Sequence, residues 1–532
     1  MITSAKYAWL ALMFTVGTMT AQNVIATVDA DKPINVLTRN ALGVMMQVTD
    51  PSVTDPGLPQ LLIPDGLRTI RYPDGWNGQA DLYHWSTYRP NKWGNSNPPR
   101  TVYYPPQNDF GHFAKQLDRI GSALITVNYG SNMVGNAGGD PVEAAAWIAY
   151  ANGDLASTTA LGKDASGHDW NTVGYWATMR ASTPLTDDDG YNFLRLGHPA
   201  PFHIELWEVG DQVYNNGYYG GEHRSETDWH ATYPDSEKEN GRRHRDPNLS
   251  PDTYGTKLAE FSRAMKAVDS SIMVGASMVL PSLDSSWAPD WDQEVLKTSC
   301  QSIDFVSLQW TSGNVTLPPD WKHMDETDLL KRPEMDLPQV MSELLNLYKR
   351  YCPAGHSPKV AFSQVGYQSW DIMDNAQAGA LFAADSLALL AEMGSVNADW
   401  YQFHSNSLYT DDNKPLPPFY GIQMLHIVAF RPGDQFLSVK SSAGLVAVHA
   451  TRRQDGIIGV MLVNKDPSNR ATVKVVINGA QTQATGVRFD YGPEQTKSKS
   501  GPVKSELKMA GSSIVVSVSP YSIVDLLIPQ AK

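Results

Sequence analysis

Apolar residues along the chain form short runs that alternate with segments of helical periodicity. Eight of these runs have the length and apolar character of buried parallel strands. They cover residues 42–48, 67–72, 123–129, 204–209, 272–276, 303–310, 359–365 and 398–403. Between the runs, apolar residues recur at helical spacing, as in Tyr254, Leu258, Phe261 and Met265. This alternation predicts an α/β fold, namely a closed (β/α)8 TIM barrel.

The clearest helix start is formed by Asp140, Pro141 and Glu143, which supply a cap, a first-turn proline and a carboxylate at the third position. Further helices are predicted near residues 254–268, 291–298, 339–351, 376–393 and 420–430. The connection between residues 73 and 107 is long and rich in Pro, Asn, Trp and Tyr. Such connections are usually functional or disordered, and the aromatic residues favour a binding surface.

The pattern changes after residue 432, where short strands are separated by Gly, Asn, Asp and Ser. These strands are predicted at residues 445–450, 457–463, 471–477, 485–491 and 514–518, and they indicate an antiparallel β-sandwich. An edge strand is predicted at residues 23–37. The expected domains are therefore an N-terminal strand within 22–40 that joins the sandwich, a barrel at 41–432 and a sandwich at 433–532.

The N-terminus carries a targeting pattern. Lys6 precedes an apolar run, and small and polar residues follow it through Ala21. Residues 1–21 therefore read as a secretory signal peptide, although Met19 stands where a small residue is preferred. A retained anchor is the alternative, but the run is short for a membrane span of about 20 residues. We expect a secreted or periplasmic protein without membrane contact after cleavage.

Charge narrows the choice of partners. Lys plus Arg number 42 against 56 Asp plus Glu, a net charge of −14, which disfavours nucleic acid and anionic membrane surfaces.

Cys300 and Cys352 each precede a predicted strand, so a disulfide and two buried free thiols are equal alternatives. No metal site can be built from them, and His223 and His230 belong to a polar loop. Neither a metal nor a cofactor is predicted.

Candidate site residues follow from the barrel, because barrel sites are built at the carboxyl ends of the strands. Flat aromatic faces together with amides and carboxylates suit the binding of sugars. For any single tryptophan, packing at the barrel rim is an equal alternative. The candidates are Asp74, Trp76, Trp85, Asn128, Asp211, Gln212, Gln309, Trp310, Gln364, Tyr367 and His404.

Several segments occur in an order that resembles a known family. They are RYPDGWNGQADLYHW, TVNYGSN, GDPVEAAAWIAYAN, WEVGDQVY, DFVSLQW and AFSQVGYQ. Their order and spacing resemble glycoside hydrolase clan A, in particular α-L-arabinofuranosidases and related β-xylosidases. The closing segment VSVSPYSIVDLLI resembles the last strands of their C-terminal β-sandwich. The resemblance covers nearly the whole mature chain and implies the same barrel and sandwich.

The resemblance also implies where catalysis would take place. Two glutamates of that family perform a double displacement, and they match Gln212 at the acid/base position and Gln364 at the nucleophile position. A retaining mechanism needs two carboxyl groups about 5 Å apart. A glutamine amide is neither a nucleophile nor a proton donor. Loss of either group is therefore expected to lower the rate by several powers of ten.

Three further positions depart from the family pattern. Asp211 replaces the usual asparagine, Gln309 replaces a histidine, and Asp74 replaces a common glycine. These changes indicate a site altered beyond a simple exchange of Glu for Gln. Asp211 is also the nearest carboxylate that could restore hydrolysis. The other groups considered for that role are Glu208, Glu222, His223, Glu226 and Tyr367.

The sequence supports two hypotheses from different classes. The first is a pseudoenzyme, a secreted carbohydrate-active protein that binds an oligo- or polysaccharide in the barrel cleft without standard retaining hydrolysis. The second is an active glycosidase, or a polysaccharide lyase in which an amide neutralises a uronate, with relocated catalytic groups. A purely structural secreted protein would not need the aromatic loops. The sugar, the linkage and the oligomeric state are not determined by the sequence.

Overall fold

A computed structural model describes residues 22–74, 84–85, 107–132, 137–219, 228–230, 246–280, 288–311, 326–367, 377–405, 407–429, 431–442 and 444–531. These residues form a closed parallel barrel and a second, mostly antiparallel β-sheet, which confirms the predicted fold class. The predicted signal peptide lies outside them and stays a prediction. In the ranges given above, no helix combines the length and apolar character that a membrane span requires.

The barrel strands follow β1 (Gln22–Val36), which belongs to the second sheet. They are β2 (Gly43–Gln47), β3 (Thr69–Asp74), β4 (Ser122–Val127), β5 (Leu206–Val209), β6 (Met273–Ser277), β7 (Phe305–Thr311), β8 (Lys359–Gly366) and β9 (Asn397–Trp400). Each overlaps one of the predicted runs. Pairing of β9 with β2 closes the barrel, with Gly43 opposite Asp399. A Cβ at Gly43 would lie 2.0 Å from the Asp399 carboxylate, so this close approach requires glycine.

Helices surround the barrel. They are α1 (Leu58–Leu62), α2 (Phe110–Ala114), α3 (Leu117–Ile120), α4 (Pro141–Asn152), α5 (Val173–Ala181), α6 (Pro251–Val268), α7 (Trp291–Ser299), α8 (Glu326–Tyr351), α9 (Gln377–Glu392) and α10 (Pro417–Val428); a further helix, α11 (Pro493–Ser498), connects two strands of the second sheet. Asp140 caps α4 as predicted, accepting from the Val142 amide at 2.8 Å. The α8 helix begins at Glu326, well before its predicted start at residue 339. The prediction failed because proline usually interrupts a helix, whereas α8 continues through Pro333 and Pro338.

The C-terminal strands form one nearly closed sheet rather than two separate layers. The strands are β10 (Gln435–Ser441), β11 (Val446–Arg452), β12 (Ile458–Asn464), β13 (Ala471–Asn478), β14 (Thr485–Tyr491), β15 (Val503–Lys508), β16 (Ser513–Val518) and β17 (Ser522–Ile528). Their order is β15-β14-β17-β12-β11-β10-β1-β13-β16. The prediction of β1 as an edge strand is wrong, because β1 pairs with β10 on one side and, in parallel, with β13 on the other.

Buried ion pairs join the barrel to this sheet. The Lys465 ammonium on the sheet side lies 2.6 Å from the Asp385 carboxylate of α9. His449 lies between Asp385 and Glu392, at 2.9 Å from each. Burial lowers the pKa of His449, but these two carboxylates outweigh burial and raise the pKa to about 10. His449 is therefore a cation at neutral pH, and the contact between the two parts of the chain is charge-compensated.

The two cysteines form a disulfide, which decides between the alternatives left open by the sequence. Cys300 follows α7 and Cys352 follows α8, and their Cα atoms are 5.5 Å apart. Both residues lie at the amino end of the barrel, just before β7 and β8. The bond therefore ties two neighbouring barrel helices together at the end opposite to the candidate site.

Candidate functional site

A single buried arginine organises the carboxyl ends of the strands. The fully buried Arg71 of β3 donates from Nη1 to Asp74 at 2.6 Å and from Nε to Glu208 at 2.8 Å. Its Nη2 atom donates to Asp211 at 2.7 Å. The planar guanidinium thus holds three carboxylates in one fixed arrangement. Asp74 and Asp211, two of the residues predicted from the sequence, are brought together by Arg71, which is not among the predicted residues.

Glu208 is fully engaged inside the barrel. Besides Arg71, its carboxylate accepts hydrogen bonds from the hydroxyls of Thr126 and Ser307, each at 2.5 Å. It is 1% exposed, with every one of these partners on a barrel strand. Glu208 therefore positions Arg71 and is not available to a ligand, so it is excluded as a relocated catalytic group.

Asp74 has an unusual protonation equilibrium. Burial raises its pKa, the Arg71 guanidinium lowers it, and the nearby carboxylates of Asp211 and Glu208 raise it further, to about 7. One cation cannot compensate three buried carboxylates completely, so a proton is retained on this group. With a pKa of about 7, Asp74 is protonated in roughly half of the molecules at neutral pH and in most of them below it.

Three side chains form a relay of amide hydrogen bonds. The Gln309 amide donates to Asp211 at 2.7 Å, and the Gln212 amide donates to the Gln309 carbonyl oxygen. Gln212 adopts a left-handed conformation, with φ 47° and ψ 40°. For a residue with a side chain this conformation costs about 1–2 kcal/mol, so the surrounding contacts must hold it in place. The structure thus connects Gln212 to Arg71 through Gln309 and Asp211.

Gln364 lies on the other side of Gln309. It is 9% exposed and stands directly opposite Gln309 in the β7–β8 ladder, next to an irregularity between Leu308 and Gln309. Within the described ranges, the Gln364 amide makes no hydrogen bond to another residue. Gln309 is therefore bonded to Gln212 and paired with Gln364, so the barrel brings together the two glutamines predicted from the sequence.

His404 lies at the same end of the barrel, in the segment after β9. Its Nδ1 atom is 2.8 Å from the carboxylate of Asp50, which follows β2, and its Nε2 atom is 2.9 Å from the side-chain oxygen Oδ1 of Asn413. Burial lowers the pKa of His404, but the bonds to Asp50 and Asn413 outweigh it and raise the pKa. Tyr367 follows β8 and is half-buried, with its ring edge-on to Phe382 and Trp400.

Two predicted sugar-binding aromatics belong to the core instead. Trp85 and Trp310 are both 0% exposed, so neither offers a face for stacking on a ligand. Trp85 packs against Trp147 and Trp176 at 5.3 and 5.0 Å. Trp310 stacks on Phe382 of α9 at 5.4 Å, because side chains alternate along β7 and Trp310 points away from its neighbour Gln309. Trp76, Glu222, His223 and Glu226 lie outside the described residues.

Asn128 belongs to a buried network at the ends of β3 and β4. His84 contacts Glu143 at 2.8 Å through Nδ1 and Ser131 at 3.2 Å through Nε2, and the Asn128 amide lies 3.4 Å from the same Nε2. Asn128 also donates to the Ser131 carbonyl. Glu143 therefore fixes His84 and does not complete the helix cap predicted from its position. The sequence did offer one sign of this buried contact, because Glu143 lies on the apolar side of α4.

The described residues contain no group of three or more His, Cys, Asp or Glu side chains placed to hold a metal ion. The arrangement can instead offer hydrogen bonds and one proton. Its members are Asp74, Asp211, Gln212, Gln309 and Gln364, positioned by Arg71 and Glu208.

Comparison with known proteins supports the architecture. No protein-family model matches the chain, and no curated protein matches it by sequence. Among solved structures, α-L-arabinofuranosidase from Thermotoga maritima in complex with arabinose has a TM-score of 0.65 at 16% identity, over 96% of this chain and 100% of that one. The family 51 arabinofuranosidase from Xanthomonas axonopodis pv. citri has a TM-score of 0.66 at 17% identity, over 95% and 99%.

A family 44 endoglucanase, Cel44A from Clostridium thermocellum, is similar over 96% of this chain and 100% of its own, with a TM-score of 0.59 at 14% identity. The chain shares the fold of these glycoside hydrolases. At such low identities the likeness establishes the fold alone, a barrel followed by a C-terminal β-domain. It does not extend to the residues of the site.

Proposed function

We propose that this protein is carbohydrate-active and binds an oligo- or polysaccharide at the carboxyl end of its barrel, without hydrolysis by double displacement. The observation that carries the proposal is the pair Gln212 and Gln364 on either side of Gln309. The resemblance assigns the acid/base and the nucleophile to these two positions. Amides there can bind sugar hydroxyls, but they supply neither the proton nor the nucleophile that retaining hydrolysis needs.

The charge of the site favours a neutral sugar. Three carboxylates, on Asp74, Glu208 and Asp211, surround the single guanidinium of Arg71. Even with Asp74 protonated, this group is net negative, so a uronate would be repelled. The lyase alternative loses support for that reason. A carbohydrate ligand is supported by the similar Thermotoga maritima enzyme, whose structure contains arabinose.

Calorimetry with neutral oligosaccharides, alongside turnover of aryl α-L-arabinofuranosides and β-xylosides, tests this proposal. We expect the wild type to bind sugar without turnover. The double variant Gln212→Glu with Gln364→Glu should gain turnover, whereas the control Gln481→Glu, at an exposed position between β13 and β14, should not. Wild-type turnover that disappears in Asp211→Asn would contradict the proposal. Absence of sugar binding by both the wild type and the double variant would also contradict it.

A second candidate is a glycosidase in which Asp74 donates the proton. In its favour, burial raises the pKa of Asp74, the Arg71 guanidinium at 2.6 Å lowers it, and the carboxylates of Asp211 and Glu208 raise it further, to about 7. A general acid must be protonated at the working pH, so turnover should fall as the pH rises through about 7. It should also vanish in Asp74→Asn. A wild type without turnover at about pH 5–6 on the whole glycoside panel would reject this candidate.

We further propose that the protein is exported. The N-terminal pattern through Ala21 supports export, and so does the disulfide between Cys300 and Cys352, since such bonds persist in oxidising compartments. Expression with the full N-terminus followed by N-terminal sequencing of the secreted product should give Gln22 as the first residue. Retention of the whole product in the cytosol would contradict export.

A further inference from the structure

A cavity outside the candidate site lies in the segment that connects α4 to β5. The side chain of Asn152, the last residue of α4, donates to the Ile204 carbonyl at 2.8 Å and accepts from the Ile204 amide at 2.9 Å. These bonds hold both ends of the segment at the amino end of the barrel strands. Asp74 and Gln212 lie at the carboxyl ends. The two ends of the segment therefore lie at the opposite end of the barrel from the candidate site, and the residues that line the cavity are separate from those of that site.

The segment is firmly anchored. The buried Arg180, in the last turn of α5, donates to five backbone carbonyls, which belong to Tyr150, Ala151, Gly153, His198 and Pro199. Carbonyls at the end of α4 have no partner within their own helix, and the guanidinium satisfies them. The inner face of α5 is thus fixed against the barrel helices. Its outer face is exposed at Tyr175 and Thr178.

The cavity lies between this outer face of α5 and the loop that precedes α5 in the chain. Its volume is about 460 Å³, within the range of roughly 300–1,000 Å³ typical of ligand pockets. A Cβ at Gly174 would lie 2.4 Å from the Ser157 carbonyl oxygen, so loop and helix approach closely because residue 174 is glycine. The residues that line the cavity include Leu155, Thr158, Gly174, Tyr175, Thr178 and Arg195.

The lining combines apolar surface with hydroxyl groups and carries no uncompensated charge. Tyr175 is 39% exposed and Leu155 is 43% exposed. In the part of the chain that the structure describes, the hydroxyls of Thr158 and Thr178 make no hydrogen bond. Both terminal nitrogens of Arg195 are bonded to the Asp189 carboxylate, at 2.6 and 2.8 Å, which compensates the charge. An uncharged ligand with an apolar face and several hydroxyls fits this lining.

We propose that this cavity is a second binding site for neutral saccharide units. The C–H face of a sugar ring stacks on Tyr175, and sugar hydroxyls bond to Thr158 and Thr178. The inference rests on the proposed function for its ligand class, but its residues are separate from those of the barrel site. Two separate sites allow one protein to hold a long polysaccharide at two places, or two chains at once.

Hydrogen exchange with arabinan, arabinoxylan, xyloglucan and mixed-linkage β-glucan locates the bound polymer, and calorimetry measures its affinity. We expect at least one polymer to slow exchange in residues 155–182, in the wild type and in Gln309→Ala. Tyr175→Ala should weaken that affinity by about 5–10-fold. Tyr175→Phe keeps the ring and should stay within about two-fold of the wild type. The matched surface control Leu345→Ala, on α8, should leave the affinity unchanged.

The variants separate failure of this inference from failure of the proposed function. If Gln309→Ala abolishes binding and Tyr175→Ala does not weaken it, the second site is overturned and the barrel site stands. If Tyr175→Ala weakens binding and Gln309→Ala has no effect, the barrel site fails and the second site stands. Unchanged exchange in residues 155–182 with every polymer overturns the inference. Tyr175 is exposed, so the melting temperature of Tyr175→Ala should match the wild type and confirm folding.

Discussion

Replacement of Asp74 by asparagine should change how stability depends on pH. Asparagine keeps the side-chain shape and the oxygen that accepts from Arg71 Nη1, but it cannot bind a proton. In the folded protein, burial and nearby carboxylates raise the pKa of Asp74 from 3.8 to about 7. A raised pKa means that the native state binds this proton more tightly than the unfolded chain. The resulting stabilisation is complete below about pH 3.8 and is lost as the pH rises to about 7.

The size of the effect follows from the shift. One pKa unit corresponds to about 1.4 kcal/mol, so a rise of roughly three units corresponds to about 4 kcal/mol as an order of magnitude. The slope cannot exceed about 1.4 kcal/mol per pH unit for a single proton. The Asp74→Asn variant cannot bind this proton and therefore lacks this pH-dependent stabilisation. The free energy of unfolding of the variant minus that of the wild type should therefore increase between about pH 4 and about pH 7, and then level off.

Urea unfolding of both proteins in small pH steps measures this difference. Asp292 and Asp399 are also buried, and burial raises the pKa of each to about 8, but both residues are present in both proteins and cancel. The exposed Asp187→Asn is the matched control and should show a flat difference. A flat or decreasing difference for Asp74→Asn would refute the reasoning, because it would mean that Arg71 keeps Asp74 ionised.

Three further variants test the elements that hold the site and the fold. Arg71→Met leaves three buried carboxylates without their cation and should lower the free energy of unfolding by about 3–5 kcal/mol, whereas the exposed Arg263→Met should have little effect in the same urea titration. Cys300→Ser with Cys352→Ser opens a loop of 52 residues and should cost about 2–4 kcal/mol by thermal unfolding; a wild type that is equally stable with and without reductant would contradict this. Lys465→Met removes one of the two cations between barrel and sheet, the other being His449, and should cost about 3–5 kcal/mol by urea unfolding; a loss below about 1 kcal/mol would show that the pair of Lys465 and Asp385 contributes little.

The barrel could be predicted because its pattern is local. Each barrel strand is a short apolar run buried on both faces, and the helices between them repeat apolar positions at their own period. The start of α4 at Asp140 and Pro141 was equally local, since a cap and a first-turn proline act on the adjacent backbone. The strands β10 and β15 were missed. Five of the six residues of β15 and two of the seven residues of β10 are exposed, so the apolar alternation of these strands is weak.

The sequence also placed the candidate polar residues at the correct end of the barrel. Asp74, Asp211, Gln212, Gln309 and Gln364 follow or end predicted strands, and the chain direction of a parallel barrel puts all such ends on one side. The pattern could not predict which of these side chains contact one another. The relay from Gln212 through Gln309 to Asp211 joins residues nearly a hundred positions apart.

Burial and charge were decided by the tertiary structure alone. Trp85 and Trp310 read as sugar platforms in the sequence, but packing from other segments covers them completely. The sequence pattern did not predict a role for Arg71, which is a single polar residue in an apolar run. In the structure it is the cation that pairs with three carboxylates. A pKa near 7 for Asp74 exists only because desolvation and like charges act together. The sequence by itself therefore determined the architecture and the side of the barrel that carries the polar groups, because strand periodicity and chain direction are local. The electrostatics of the site depend on distances between remote segments, and only the folded chain sets these.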